Sequence, residues 1–224
     1  MTRLKALLDL LVLLAVLGTI WSLRFFDIQY VGVLTMSAGL VVVAFLLRWR
    51  QQTLSDIGWK YVFTGRQLRS RTFEVMGLTG LTMVVGMALL GWIFGAPEQS
   101  SAVSQLPDNI WLFLLDVTVL TWVFVAFGEE LIFRGMMLSR LETLFGLQGH
   151  TSIVAVSLAQ GVLFGAGHAS QGMTGMLITG AIGIVLAVYF MTRGQRSLVP
   201  LVLSHGIIDS AVLSASWLSG ASGP

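Results

Sequence analysis

The sequence predicts an all-α integral membrane protein of about seven transmembrane helices, and three observations support this fold class. Hydrophobic residues make up 55% of the 224 residues. Charged residues make up only 11%, whereas soluble domains average roughly a quarter. The third observation is a series of apolar runs of about 20 residues, the length that spans a bilayer. Lipid must therefore surround most of these side chains.

The apolar runs predict the helices in order along the chain. The first run follows Arg3 and Lys5 and lacks a small-residue cleavage site, so we interpret it as a retained helix and not as a signal peptide. The first two helices connect through residues 24–27, which predicts an antiparallel hairpin. The seven helices are predicted at 4–23, 28–47, 74–95, 110–140, 152–168, 174–192 and 197–217.

The distribution of basic residues predicts the orientation. All but Arg24 of the 13 lysine and arginine residues lie at one end of the predicted bundle, which the positive-inside rule assigns to the cytoplasm. We expect a cytoplasmic N-terminus in a bacterial or archaeal plasma membrane. The basic and aromatic segment 48–71 is either a cytoplasmic loop with interfacial anchors or a surface helix that docks on anionic lipid.

Several ionisable side chains fall inside the apolar helices, where a charged group costs roughly 2.5–3.5 kcal/mol at the helix centre. The fourth predicted helix carries Glu129, Glu130 and Arg134. Arg134 follows Glu130 by four residues, which favours an ion pair between them. Adjacent helix residues point about 100° apart, so we expect the two glutamates to face different partners and Glu129 to lack a local one.

Two histidines and an aspartate complete the set of intramembrane polar residues. His168 ends the fifth run, while His205 and Asp209 lie four residues apart and share one face of the seventh helix. Asp209 can accept a hydrogen bond from the imidazole, or both side chains can point at a common ligand. Each residue alone is more often structural, but together on three apolar helices they predict a functional site.

Straight helices would not bring these side chains together. Helices starting at one membrane level place Glu129 roughly 16 Å, His168 roughly 24 Å and His205 roughly 10 Å from that level. We expect the glycines near His168 and Pro200 before His205 to let those segments bend or start at other depths.

Three motifs occur in order on these helices: E-E-x-x-x-R at 129–134, F-x-x-x-H at 164–168 and H-x-x-x-D at 205–209. Together they resemble the motifs of the CPBP family, which contains CAAX prenyl endopeptidases and bacteriocin-processing (Abi-type) proteins. The resemblance covers about residues 110–212. It implies an intramembrane endopeptidase, glutamic or metal-dependent, that cuts a membrane-associated polypeptide, with a prenylated CAAX-type protein as one alternative.

The resemblance also implies roles for the motif residues. Glu129 with His168 would activate a water, His205 and Asp209 would stabilise the oxyanion, and Glu130 and Arg134 would hold the geometry of the site. Asp209 stands where other members have Asn, so it must stay protonated or accept a hydrogen bond from His205, and we favour the second. We expect one domain over 1–224, with catalytic core helices in 110–217 and N-terminal helices and a basic loop in 1–96.

Cofactors and partners follow from the same residues. Glu129, His168 and His205 match the ligand number of a His₂Glu zinc site, but we favour a reaction without metal or other cofactor. Cysteine is absent, which excludes thiolate ligands and cysteine nucleophiles. We expect membrane lipid and a membrane-associated polypeptide as partners, and no nucleic acid.

Two other functions stay open at this point. A catalytically silent membrane scaffold of the same fold is the main alternative, although such a protein could lose Glu129 or His168 freely. An ion-coupled transporter also uses intramembrane Glu, His and Asp residues. Inverted repeats would favour the transporter, and the sequence has none.

Overall fold

The computed structural model describes residues 1–26, 28, 30–98, 103 and 106–220. Within these residues all regular structure is helical, and seven helices are long and apolar enough to cross a membrane. This confirms the predicted fold class. The helices are α1 (Arg3–Trp21), α2 (Val31–Trp49), α3 (Gly65–Phe94), α4 (Ile110–Phe145), α5 (Gly149–Gly167), α6 (Gly172–Thr192) and α7 (Val199–Leu218).

Helices α1 and α2 pack against each other, as the hairpin prediction requires. A short 3₁₀ turn, Ser22–Phe26, follows α1, while Asp27 of the predicted connection lies outside the described residues. Buried leucines of α1 and α2 join the apolar core that α4 also enters. At Gly39 of α2, only a hydrogen fits beside Leu17 and Ile132, so α1, α2 and α4 meet closely there.

Helix α3 begins at Gly65, well before the predicted start at residue 74. Thr64 and Gln67 form a capping box at its start: the Thr64 N–H donates to Gln67 Oε1 over 2.9 Å, and the Gln67 N–H donates to Thr64 Oγ1 over 3.4 Å. The basic residues of 66–71 therefore occupy the first turns of α3. The loop interpretation of segment 48–71 is wrong for this part, because an apolar-run search does not detect polar helical turns.

The segment between α2 and α3 also contributes to the interior of the bundle. Ile57 and Phe63 are buried. The Gly58 carbonyl accepts a hydrogen bond from the Leu198 N–H over 2.9 Å, and the Lys60 carbonyl accepts one from the Ser197 hydroxyl over 2.6 Å. One backbone N–H and one hydroxyl just before α7 are thus satisfied by this segment instead of by water, which allows α7 to begin inside the protein.

Gly135 of α4 marks the depth at which α7 begins. A Cβ at Gly135 would lie 2.9 Å from the Ile57 carbonyl oxygen and 3.3 Å from Leu198 Cδ1, so the segment before α3 and the start of α7 both touch α4 at this residue. Glu129 lies six residues before Gly135, and His205 six residues after Val199. The two side chains therefore reach similar depths, so the difficulty that straight helices starting at one level posed does not hold for Glu129 and His205.

Helix α4 extends to Phe145, beyond the predicted end at residue 140, and most of it is π-helical. The π-helical stretches are Asp116–Phe127 and Glu130–Met137, with Gly128 and Glu129 between them. Hydrogen bonds from residue i to i+5 widen each turn, and such turns are frequent at functional sites. Gly146 follows the last helical residue as the C-cap, and its φ of +61° suits glycine.

Candidate active site

The His205 imidazole is the centre of the polar cluster. Its Nδ1 lies 3.0 Å from Glu130 Oε1, and its Nε2 lies 3.3 Å from Asp209 Oδ2 and 4.0 Å from Glu129 Oε2. Ionised carboxylates only accept hydrogen bonds, so both ring nitrogens are placed to donate, which is the geometry of an imidazolium. Helices α4 and α7 are thereby joined by a charged contact within the membrane region.

Both glutamates approach the same imidazole, so the expectation that they face different partners is wrong. That expectation assumed 3.6-residue turns, whereas the residues around Glu129 and Glu130 belong to the π-helical part of α4. The two carboxylates address opposite ring nitrogens of His205.

The predicted ion pair between Glu130 and Arg134 is confirmed, with Arg134 Nη1 3.1 Å from Glu130 Oε1 and both side chains fully buried. The Arg134 guanidinium carbon lies 4.0 Å from the centre of the Phe164 ring. This cation–π contact stabilises a desolvated guanidinium. Glu130 Oε1 therefore connects Arg134 to His205, and Phe164 supports Arg134 from α5.

His168 follows the last residue of α5 and is held by Phe164. Its Nδ1 lies 2.9 Å from the Phe164 carbonyl oxygen, and the two rings lie 4.8 Å apart. A carbonyl only accepts, so Nδ1 carries the proton and Nε2 is left as the reactive nitrogen. The imidazole lies near enough to interact electrostatically with the Glu129 carboxylate. Among the predicted site residues of the described chain, His168 alone makes no hydrogen bond or ion pair with the others, and it faces Glu129 at longer range.

Exposure divides the cluster into a supporting side and an open side. The side chains of Glu130 and Arg134 are 0% exposed, whereas those of Glu129, His205 and Asp209 are 13%, 18% and 32% exposed. A molecule entering the cluster therefore meets Glu129, His205 and Asp209 first. Glu130 and Arg134 lie behind them.

Trp122 of α4 positions α7 at the cluster, and sequence reasoning did not identify it. Its indole Nε1–H donates to Ser210 Oγ over 3.1 Å. A Cβ at Gly206 would lie 2.7 Å from the Trp122 ring, so the residue after His205 must be glycine for α7 to approach this closely. Gly206 could have indicated this contact from the sequence, because glycine in a transmembrane helix lets a neighbouring helix approach closely.

Glu129 shares its nearest cation, His205, with two other carboxylates. Two cationic side chains, Arg134 and His205, face three carboxylates. Glu130 lies against both cations, while Glu129 and Asp209 share the Nε2 side of His205. A partly exposed carboxylate in this position is suited to take a proton from a bound water.

The predicted metal ligands are Glu129, His168 and His205. A histidine that binds a metal through one ring nitrogen commonly donates its other N–H to a carboxylate, so the contact of His205 Nδ1 with Glu130 agrees with either kind of site. Within the part of the chain that the structure describes, no group of three or more His, Cys, Asp or Glu side chains is arranged to hold a metal ion.

Fold and site together define a multi-pass membrane protein with a polar cluster enclosed by apolar helices. Residues 110–211 match the family model described as type II CAAX prenyl endopeptidase Rce1-like. This match supports the CPBP family of intramembrane proteases, the family predicted from the motifs. No curated protein and no solved structure matches the chain in the corresponding comparisons.

Proposed function

We propose that the protein is an intramembrane endopeptidase in which Glu129 activates the attacking water. The main supporting observation is that Glu129 approaches His205 Nε2 at 4.0 Å while its side chain keeps 13% exposure. The Rce1-like domain belongs to a family of proteases, which supports peptide-bond hydrolysis as the reaction class.

Hydrolysis in this scheme proceeds in two steps. The Glu129 carboxylate takes a proton from water as the water oxygen bonds to the scissile carbonyl carbon, forming a tetrahedral oxyanion. The oxyanion then collapses, the C–N bond breaks, and Glu129 returns the proton to the leaving amine. The products are a carboxylic acid and an amine, and the glutamate is regenerated.

The two histidines have separate roles. His168 Nε2 holds the water beside Glu129, since its Nδ1 proton is committed to the Phe164 carbonyl. His205, held as an imidazolium by Glu130, stabilises the negative charge that develops on the carbonyl oxygen. Asp209 accepts from His205 Nε2 and keeps the ring aimed at that charge. Glu130 and Arg134 fix the ring from the buried side.

The substrate class is a membrane-associated polypeptide. The cluster lies on apolar helices, so a soluble protein would have to enter the lipid region to reach it. A prenylated CAAX-type protein fits this requirement, as does a short membrane-bound peptide. With the orientation predicted from the basic residues, cleavage occurs on the cytoplasmic side.

Reconstitution with a panel of membrane-tethered peptides tests the proposal. The panel includes prenylated and unprenylated CAAX-type peptides, and new termini are identified by mass spectrometry. Wild-type protein should produce defined termini that Glu129→Ala does not. Cleavage that is unaffected by Glu129→Ala refutes the assignment.

A further inference from the structure

A polar cavity of about 480 Å³ opens where α1 begins and α2 ends, away from the cluster around His205. It lies at the end of the bundle that is predicted to be cytoplasmic. Its lining consists of Met1, Lys5, Trp49, Arg50, Gln51 and Gln52. Two cations and two amides in such a cavity suit a ligand with anionic oxygen atoms.

A buried ionic cluster fixes one wall of the cavity. The fully buried Asp9 carboxylate binds Arg50 Nη2 at 2.7 Å and Arg140 Nε at 2.9 Å. Arg140 Nη2 also donates to Gln52 Oε1 over 2.7 Å. One carboxylate thus faces two guanidinium groups, which leaves the cluster with an excess positive charge beside the cavity.

Arg50 presents this charge to the cavity. Its bonds to Asp9 and to the Lys5 carbonyl use Nε and Nη2, and none of them uses Nη1. The Arg50 side chain is 16% exposed and held in place. A pre-oriented guanidinium binds phosphate oxygens with little loss of side-chain freedom.

Apolar surface borders the cavity on the side of α2. Trp49 is 66% exposed and Phe45 is 54% exposed, and their rings contact each other edge-on at 5.3 Å. On α1, Leu4 and Leu8 are 65% and 48% exposed. A ligand that fills the cavity and covers these side chains must have an anionic head and an apolar tail.

We propose that this cavity binds the headgroup of an anionic phospholipid, whose acyl chain lies along Phe45 and Trp49. The phosphate contacts Arg50 and Lys5 within the lipid–water interface, where tryptophan side chains and basic residues concentrate. A free phosphate would pair with the cations but leave the rings of Phe45 and Trp49 exposed. A phospholipid pairs with the cations through its phosphate and covers the two rings with its acyl chain.

Binding to the full chain in detergent tests the proposal, with phosphatidylglycerol, phosphatidylcholine and inorganic phosphate as probes and native mass spectrometry as the readout. Phosphatidylglycerol should bind more tightly than phosphatidylcholine, and inorganic phosphate should not displace it. Equal binding of both lipids, or displacement by inorganic phosphate, would overturn the proposal.

Variants locate the site. Lys5→Gln should weaken binding of phosphatidylglycerol by about fivefold, and Trp49→Ala should weaken it too. Arg48→Gln removes a nearby exposed cation that does not line the cavity and should leave binding unchanged. Equal losses of phosphatidylglycerol affinity in Lys5→Gln and Arg48→Gln would indicate diffuse charge attraction and overturn the proposed site. Melting temperatures without lipid verify that each variant folds.

Discussion

His205 and Glu130 form a contact that joins α7 to α4, with His205 Nδ1 3.0 Å from Glu130 Oε1. Glu130 is fully buried and also pairs with Arg134 at 3.1 Å. The imidazole is therefore anchored from behind, and its Nε2 is directed toward the partly exposed Glu129 and Asp209.

Asp209 should act as a hydrogen-bond acceptor for His205. Asp209→Asn keeps an oxygen that can accept from Nε2, so this variant should retain measurable cleavage. Asp209→Ala removes the acceptor and should lose most of the activity. Steady-state cleavage of a tethered peptide measures both. Equal, full activity in the two variants would show that residue 209 takes no part.

Arg134 should be required for stability because it neutralises a buried carboxylate. Arg134→Met leaves Glu130 without its guanidinium partner and should destabilise the protein by about 3–5 kcal/mol. The double variant Glu130→Gln, Arg134→Met removes both charges and should recover part of the loss. Reversible unfolding in micelles gives both values. A double variant no more stable than Arg134→Met would contradict the ion-pair account.

The close packing of α5 on α6 should control the position of His168. A Cβ at Gly165 would lie 2.7 Å from the Met176 carbonyl oxygen, whereas one at Gly167 has nothing within 4 Å. Gly165→Ala must push the helices apart, and a displacement of about 1 Å at a catalytic group can lower the rate about 100-fold.

Gly167→Ala is the matched control for Gly165→Ala. It makes the same chemical change two residues away and should leave kcat/KM near the wild-type value. Similar activities of the two variants would show that the helix contact at Gly165 does not position His168.

Cleavage should not depend on a metal ion. In the proposed mechanism His205 is an imidazolium held by Glu130 and Asp209, and an imidazolium has no lone pair to offer a metal. Protein purified in a strong chelator should keep its activity and contain no stoichiometric metal by elemental analysis. Activity that disappears in chelator and returns with added zinc would contradict this prediction.

The sequence predicted the parts of the site that depend on local spacing. The Glu130–Arg134 pair and the contact between His205 and Asp209 both follow from a separation of four residues along one helix. The seven spans follow from the bilayer thickness, which fixes the length of each apolar run.

The features that the sequence did not predict depend on contacts between distant segments. Glu129 and Glu130 both reach one imidazole at the start of a π-helical stretch of α4, and a pattern based on 3.6-residue turns misses this. The depth of α7 depends on the hydrogen bond between Leu198 and Gly58, which are far apart in sequence. The role of Phe164 as a support for both Arg134 and His168 likewise appears only in three dimensions.

The most direct test of the proposed mechanism compares the single-turnover cleavage rate of Glu129→Gln with that of Asp116→Asn. Both changes neutralise an acid on α4 without changing its size, but only Glu129 contacts His205. Glu129→Gln should lower the rate by about 10²–10⁴-fold, the usual contribution of a general base, and Asp116→Asn should stay near wild type. A Glu129→Gln variant that cleaves as fast as Asp116→Asn would contradict the assignment of Glu129 as the base.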